Sequence, residues 1–197
     1  GLASCFMLTY RLGESQLVKL ASPFLLGSPD AGGLGLSTGQ VGFVYGTVGV
    51  TALLAGGIIG GVCMAKDGLG RWLFPMALAI SLPNLVYLYL SYAQSSDFLL
   101  VNVCVAIEQL GYGFGFTGYT MYLMQFAEGE YKTSHYAICT GFMALGMMLP
   151  GMVSGWVQEL IGYRHFTAGT ITKDIPRPST ALRLRNTVRL RTTGGLL

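Results

Sequence analysis

Five long apolar blocks, separated by short polar loops, dominate this sequence and restrict it to a membrane fold. Crossing the hydrocarbon core of a bilayer takes roughly 20 mostly apolar residues in an α-helix, and every block is long enough. We therefore predict an all-α, polytopic membrane protein with five transmembrane helices. These helices cover about residues 2–26, 41–65, 72–93, 98–126 and 135–156.

The composition supports this prediction and excludes a soluble globular domain. The chain is 52% hydrophobic and 11% charged, whereas soluble domains carry about 25% charged residues. Its 29 glycines are compatible with membrane helices, because neighbouring helices satisfy the backbone groups that a glycine frees. The first partner that we expect is the lipid bilayer, and we expect no nucleic-acid partner.

No residue pattern in the blocks indicates an enzyme, a metal site or a cofactor. All four cysteines (5, 63, 104 and 139) lie within apolar blocks and lack metal-ligand spacing, so we interpret them as small apolar packing residues. No His/Asp metal pair, Ser/Lys pair or Gly-x-Ser-x-Gly motif occurs in a block. We therefore predict no enzymatic activity, no metal and no cofactor.

Basic residues recur in alternate loops and predict an orientation. Loop 66–71 holds two Lys/Arg residues and loop 127–134 holds one. The other two loops, 27–40 and 94–97, hold none. Because Lys and Arg are enriched on the cytoplasmic side of membrane proteins, we predict that the two basic loops are cytoplasmic.

The last 31 residues differ in composition from the rest of the chain. Residues 1–166 hold six Lys/Arg and eight Asp/Glu, whereas residues 167–197 hold six Lys/Arg and one Asp. We expect this basic tail to be disordered or non-native, such as the product of a shifted reading frame, and exclude it from the fold. The alternative is an arm that binds anionic lipid.

The fourth block carries a polar stripe. Glu108, Tyr112, Tyr119 and Tyr122 recur at multiples of helical spacing and lie along one face of the predicted helix. A carboxyl group at membrane depth should line the bundle interior or a wet cavity. Glu108 can alternatively make a structural hydrogen bond to a neighbouring helix, and Tyr122 can anchor at the membrane interface.

The first block contains the other charged residues predicted at membrane depth. Arg11 and Glu14 share a helical face with Ser15, so one interpretation is that Arg11 and Glu14 form an internal ion pair. The other interpretation is that Arg11 binds substrate, because its planar guanidinium matches a substrate carboxylate or phosphate. The third block has no charged residue, and we predict that it is the most lipid-exposed helix.

Glycines four residues apart, such as Gly56 and Gly60 or Gly57 and Gly61, recur in the second block. Small residues at this spacing share one helical face and let two backbones approach closely. They predict close helix packing, and their density in the second block also fits helices that slide or rock against each other.

Three stretches resemble the C-terminal half of the AmpG-type permeases of the major facilitator superfamily. They are TYRLGESQLVKLASPFLL with the following GLSTGQVGFVYGTVG, then GGIIGGVCMAKDGLGR, and finally EGEYKTSHYAICTG. The resemblance implies that residues 1–166 form a partial C-terminal six-helix bundle, whose five helices correspond to helices 7–11 of a twelve-helix transporter.

The loop after the second block resembles a superfamily signature, G-x-x-x-D-R-x-G-R. Gly61, Lys66 and Gly68 match its first glycine, its basic position and its second glycine, whereas Ala65 stands at the acidic position. The match is degenerate. By resemblance, the gating loop comprises Lys66, Asp67, Gly68 and Arg71.

The resemblance also implies a function: proton-coupled import of anhydro-muropeptides across the bacterial inner membrane by alternating access. Its partners would be the missing N-terminal bundle, protons and a small-molecule substrate. The alternatives are a transporter of another small solute, such as a sugar or peptide, and a small non-transporting membrane protein that packs on a larger complex. The residues assigned to substrate binding are Arg11, Tyr112, Tyr119 and Tyr122, and those assigned to proton coupling are Glu108 and Glu14.

Overall fold

The structure, a computed structural model, describes residues 21–29, 33–82, 84–94, 97–127 and 131–149, together with Met152, Trp156 and Leu160. These residues are almost entirely helical and contain no strand. In chain order the elements are α1 (21–26), α2 (Thr38–Phe43), a π-helical turn (Val44–Gly49), α3 (Val50–Asp67), α4 (Leu69–Ser81), α5 (Asn84–Ala93), α6 (Phe98–Phe126) and α7 (132–149).

Three helical stretches of the described residues are long and apolar enough to cross a membrane. We call them span I (Thr38–Asp67), span II (Leu69–Ala93) and span III (Phe98–Gln125). They coincide with three of the five predicted blocks, which confirms the helical membrane fold. The remaining blocks, 2–26 and 135–156, lie partly outside the described residues, as does the basic tail, so the count of five stays a prediction.

Local sequence signals fix where the spans begin and end. A capping box starts span I, because the Ser37 hydroxyl accepts from the Gln40 amide and the Gln40 side chain accepts from the Ser37 amide. The Asp97 carboxylate caps span III by accepting from the Leu99 amide at 3.0 Å. Between spans I and II the backbone of Gly68 has φ of +77°, a conformation that favours glycine.

Span III lies between the other two spans and packs closely on both. A methyl group on Gly113 would overlap the carbonyl oxygen of Leu53 in span I. Two residues further, a methyl group on Gly115 would overlap the Met76 carbonyl oxygen in span II. These close approaches confirm that glycines permit tight helix packing, here on two faces of one helix.

The prediction that block 72–93 is the most lipid-exposed helix stays a prediction; within the described chain, this block is more buried than span I. In the most apolar stretch of span II 44% of the residues are buried, against 22% in span I. The reason is the glycine face of span III, against which Met76 and Ile80 pack. The exposed apolar side chains of span I include Leu54, Ile58 and Val62.

Two apolar clusters form the core, one toward each end of span III, and we name them outer and inner after the predicted orientation. The outer cluster includes Phe24, Leu25, Leu34, Leu36, Val41, Val44, Tyr87, Leu90, Val101, Cys104 and Val105. The inner cluster includes Met64, Leu69, Leu73, Met76, Tyr119, Tyr122, Leu123 and Cys139. The stretch of span III between the two clusters contains Glu108 and Tyr112.

Candidate functional site

Glu108 lies between the two clusters, near the middle of span III. It follows Phe98 by ten residues, which places it about 15 Å along a helix with 1.5 Å rise, half the thickness of a ~30 Å hydrocarbon core. Only 7% of the residue is exposed. The hydroxyl group of Tyr87, in span II, donates to Oε2 of Glu108 at 3.4 Å.

A second phenol extends this contact into span I. The hydroxyl oxygens of Tyr45 and Tyr87 are 2.6 Å apart, a short distance for an O–H···O bond. A phenol has one proton to donate. Since Tyr87 donates its proton toward Glu108, Tyr45 donates to Tyr87. Three spans thus contribute one group each to a hydrogen-bonded chain that ends on the carboxylate.

The π-helical turn positions Tyr45 in this chain. The amide of Val50 donates to the carbonyl oxygen of Tyr45 five residues back, which is the π pattern and leaves a wider turn. The Thr51 hydroxyl lies 2.9 Å from the carbonyl oxygens of both Thr47 and Val48. The side chain of Thr51 therefore offers a hydrogen bond to carbonyl groups of the widened turn.

The same turn packs on span III beside the carboxylate. A methyl group on Gly49 would lie 3.4 Å from Cγ of Gln109, the neighbour of Glu108. Gly49 is buried, so its lack of a side chain lets the turn approach the middle of span III.

The three predicted tyrosines of span III fall in different environments. Tyr112 is half-buried, and its ring stacks on Phe116 with centroids 5.9 Å apart and an interplanar angle of 8°. Tyr119 and Tyr122 are 1% and 4% exposed and belong to the inner cluster. Span III places all three on one side of the helix, as predicted, but only Tyr112 retains accessible surface beside Glu108.

The predicted gating loop is held together by the carboxylate of Asp67. Its Oδ1 lies 3.4 Å from Nη1 of Arg71, and its Oδ2 accepts a hydrogen bond from the Trp72 indole at 3.0 Å. Lys66 is exposed at the end of α3. Gly68 connects the two helices with its positive φ.

Trp72 links this loop to span III. Its ring meets that of Phe114 edge to face, with centroids 5.9 Å apart and an interplanar angle of 87°. Sequence reasoning missed Trp72, although a tryptophan five residues after an acidic residue at a helix junction is a usable signal. The polar loop and the packed interior are therefore mechanically connected.

Some sequence predictions fall outside the described residues. Arg11 and Glu14, predicted for substrate and proton binding, lie there, and so do Glu128 and Glu130 of the second basic loop. Within the described part of the chain, no group of three or more His, Cys, Asp or Glu side chains could hold a metal ion.

Sequence reasoning also missed Tyr45 and Tyr87, the partners of Glu108. Tyr87 belongs to a run with Tyr89 and Tyr92, and of the three only Tyr87 is buried. Depth counting places Tyr87 in the same half of the membrane as Glu108 but does not pair them: Tyr87 precedes the end of span II by six residues, about 9 Å, and Glu108 lies about 15 Å from the same membrane surface.

These features define a class before any relative is considered: a multi-pass, helical membrane protein with a buried carboxylate between its spans. No family model matches the chain. Over 167 residues, which are 85% of this chain, it is 26% identical to "Anhydromuropeptide permease" of Escherichia coli strain K12. Over an equal length it is 25% identical to "Putative transporter AmpG 4" of Rickettsia conorii.

The resemblance to AmpG-type permeases is thereby confirmed. A third relative, "Putative transporter AmpG 1" of Rickettsia felis, is 23% identical over 172 residues, or 87% of this chain. The aligned regions cover 33% of the Escherichia coli relative and 37–39% of the two Rickettsia relatives. The chain thus spans about a third of the length of the curated relatives that it matches.

Proposed function

We propose that this chain forms the C-terminal part of a permease of the bacterial inner membrane that imports anhydro-muropeptides together with protons. Its helices would correspond to helices 7–11 of a twelve-helix transporter, and an N-terminal bundle would complete the substrate cavity. The similarity to proteins named anhydromuropeptide permease and AmpG transporter supports the substrate class. Alternating access by rocking of the two bundles is the mechanism that we propose.

The observation that carries the proposal of proton coupling is the buried carboxyl group of Glu108. A charged carboxylate in apolar surroundings is costly unless it is hydrogen-bonded or paired, and ionisable groups at membrane depth commonly mark proton or substrate paths. Tyr87 provides a hydrogen-bond donor to Glu108. Glu108 would take up a proton in one orientation of the transporter and release it in the other, and Glu14 is the second candidate carrier.

The substrate would be held by groups of different chemistry. Arg11 would meet an anionic group through its planar guanidinium. Tyr112, half-buried and stacked on Phe116, would offer a ring face to a sugar or a peptide. Tyr119 and Tyr122 are buried in the inner cluster and would reach substrate once the bundles rock and that cluster opens.

The gating role of Lys66, Asp67, Gly68 and Arg71 is part of the same proposal. Asp67 contacts both Arg71 and Trp72, so the loop is closed by polar contacts at the predicted cytoplasmic ends of spans I and II. Rearranging these contacts would accompany opening toward the cytoplasm.

Uptake of a radiolabelled anhydro-muropeptide by proteoliposomes that hold the complete permease tests the proposal. An imposed inward proton gradient should drive accumulation, and Glu108→Gln should abolish it while the protein still folds. Asp97→Asn is the matched control, because Asp97 is a carboxylate at the exposed end of the same helix. Unchanged uptake in Glu108→Gln would contradict the role of Glu108.

The remaining outcomes separate the alternatives. Accumulation of a sugar or an unrelated peptide in place of the muropeptide would replace the proposed substrate. No accumulation of any of these solutes would favour a non-transporting membrane protein. We expect no uptake by the 197-residue chain alone, and uptake by it would contradict the need for an N-terminal bundle.

A further inference from the structure

The chain of Tyr45, Tyr87 and Glu108 has a direction with respect to the membrane. Tyr45 follows the start of span I by seven residues and Tyr87 precedes the end of span II by six, so both lie about 10 Å along their helices from the same membrane surface. Glu108 lies about 15 Å from that surface. The two phenols thus lie at one depth in the predicted outer third of the membrane, and Glu108 lies deeper, near its middle.

We infer that Tyr45 and Tyr87 form a proton relay that loads Glu108 from the outer side of the membrane, with the π-helical turn as the element that holds Tyr45 in place. This inference rests on the proposed proton coupling and adds two residues to it. Tyr87 and Tyr45 act through Glu108 and are positioning and relay residues for its proton.

The relay step balances with protons alone. Tyr87 passes its hydroxyl proton to Oε2 of Glu108, which becomes the neutral acid. Tyr45 passes its proton to the Tyr87 oxygen, and a hydronium ion or water on the outer side restores the proton of Tyr45. Three O–H bonds form and three break, one proton moves inward, and no group is oxidised or reduced.

The two distances show which of the two contacts is too long for proton transfer. The Tyr45–Tyr87 separation of 2.6 Å already suits proton transfer. The 3.4 Å between Tyr87 and Glu108 exceeds the ~2.8 Å of a typical O–H···O bond. The Tyr87 hydroxyl must therefore approach the Glu108 carboxylate by roughly 0.6 Å to complete the relay. Rocking of the spans can make and break this last contact.

Within the described residues, each of the three spans carries a proton-binding side chain of this relay or next to it. Span I brings Tyr45, span II brings Tyr87, and span III carries Tyr112 one turn beyond Glu108. The charged residues of the first block, Arg11, Glu14 and Lys19, lie outside the described residues.

The π turn gives the relay a geometric requirement of its own. A π turn holds one residue more than an α turn, and one residue corresponds to about 100° of rotation. Deleting Thr47, an exposed residue of the turn, should restore a continuous α-helix. The Tyr45 hydroxyl would then rotate away from Tyr87, although its chemistry is unchanged.

Two transport modes in the complete permease test the relay. Tyr87→Phe and Tyr45→Phe should each slow uptake driven by a proton gradient by about 100-fold, the lower limit for a positioned proton-transfer group. Exchange of labelled for unlabelled muropeptide across the membrane, which needs no net proton movement, should stay within about twofold of wild type. Tyr89→Phe, an exposed tyrosine of span II, is the matched control and should leave both modes unchanged.

Deletion of Thr47 should match Tyr45→Phe in both modes. Driven uptake by Tyr87→Phe equal to that of Tyr89→Phe would overturn the relay. An equal loss of driven uptake and exchange in Tyr87→Phe would also overturn it, because that loss indicates a merely structural role.

An infrared measurement on the chain itself in lipid nanodiscs separates failure of the relay from failure of the proposed function. The carbonyl stretching band of protonated Glu108 is the band that Glu108→Gln removes. Tyr87→Phe should shift this band to higher frequency, whereas Tyr89→Phe should not. If the permease imports no muropeptide but the shift appears, the proposed function fails and the relay geometry stands; an unshifted band overturns the geometry.

Discussion

The carbonyl oxygen of Leu53 occupies the position that a side-chain methyl group of Gly113 would need. The contact is reciprocal one turn along, because a methyl group on Gly56 would overlap the carbonyl oxygen of Leu110. Spans I and III therefore cross with backbone against backbone. Along span III, this crossing lies just after Glu108. It sets how closely the π turn can approach the carboxylate.

Gly113→Ala should force spans I and III apart and destabilise the protein by about 1–3 kcal/mol, the usual cost of overpacking. Thermal unfolding in detergent, followed by circular dichroism, measures the effect. Gly61→Ala is the matched control, since a methyl group on Gly61 meets no described atom within 4 Å. Equal unfolding temperatures for the two variants would contradict the backbone contact.

Asp67→Ala should loosen the junction between spans I and II. The substitution removes the acceptor of the Trp72 indole and costs about 0.5–1.5 kcal/mol for one hydrogen bond. Trp72 fluorescence in a Trp156→Phe background should then report greater exposure to solvent. Arg71→Ala serves as the comparison: the exposed ion pair is worth about 0–1 kcal/mol, so the emission of Trp72 should change little.

Tyr112 and Tyr119 should respond differently to truncation. Tyr112→Ala should raise the KM for muropeptide uptake while the unfolding temperature changes little, because Tyr112 is half-buried between the clusters. Tyr119 is 1% exposed, and Tyr119→Ala should cost about 3–5 kcal/mol, as for other large aromatic truncations. A Tyr112→Ala variant with unchanged KM would remove this residue from the proposed substrate site.

Cysteine labelling checks the predicted orientation. In a variant whose native cysteines are replaced by serine, Gly39→Cys should react with a membrane-impermeant maleimide added to intact spheroplasts. Thr133→Cys should react only after the membrane is opened. Both positions are exposed and belong to loops predicted on opposite sides of the membrane. The reverse labelling pattern would show that the basic loops are not cytoplasmic.

The sequence was sufficient for features that depend on local composition and spacing. Apolar length predicts spans I–III within a few residues, because a helix must satisfy its own backbone in lipid. Helical spacing likewise places Glu108 and the three tyrosines on one side of span III. Glycine spacing predicts close packing, although it does not say which helix is the partner.

Pairings between helices could not be predicted in the same way. Nothing local distinguishes Tyr87 from Tyr89, yet one is buried against Glu108 and the other is exposed. The rotation of Tyr45 depends on a π turn, which the residue types of Val44–Gly49 do not predict. Hydropathy reports how apolar a helix is, whereas packing decides which apolar face meets another helix, as between spans II and III.

The sequence by itself therefore determined that this chain spans a membrane, where three of its helices lie and that Glu108 is buried among them. Only the tertiary structure decided that Glu108 receives a hydrogen bond from Tyr87 and that Tyr87 is in turn hydrogen-bonded to Tyr45. The physical reason is that hydropathy and helical period act along one helix, whereas a hydrogen-bonded chain through three spans depends on their relative rotation and separation.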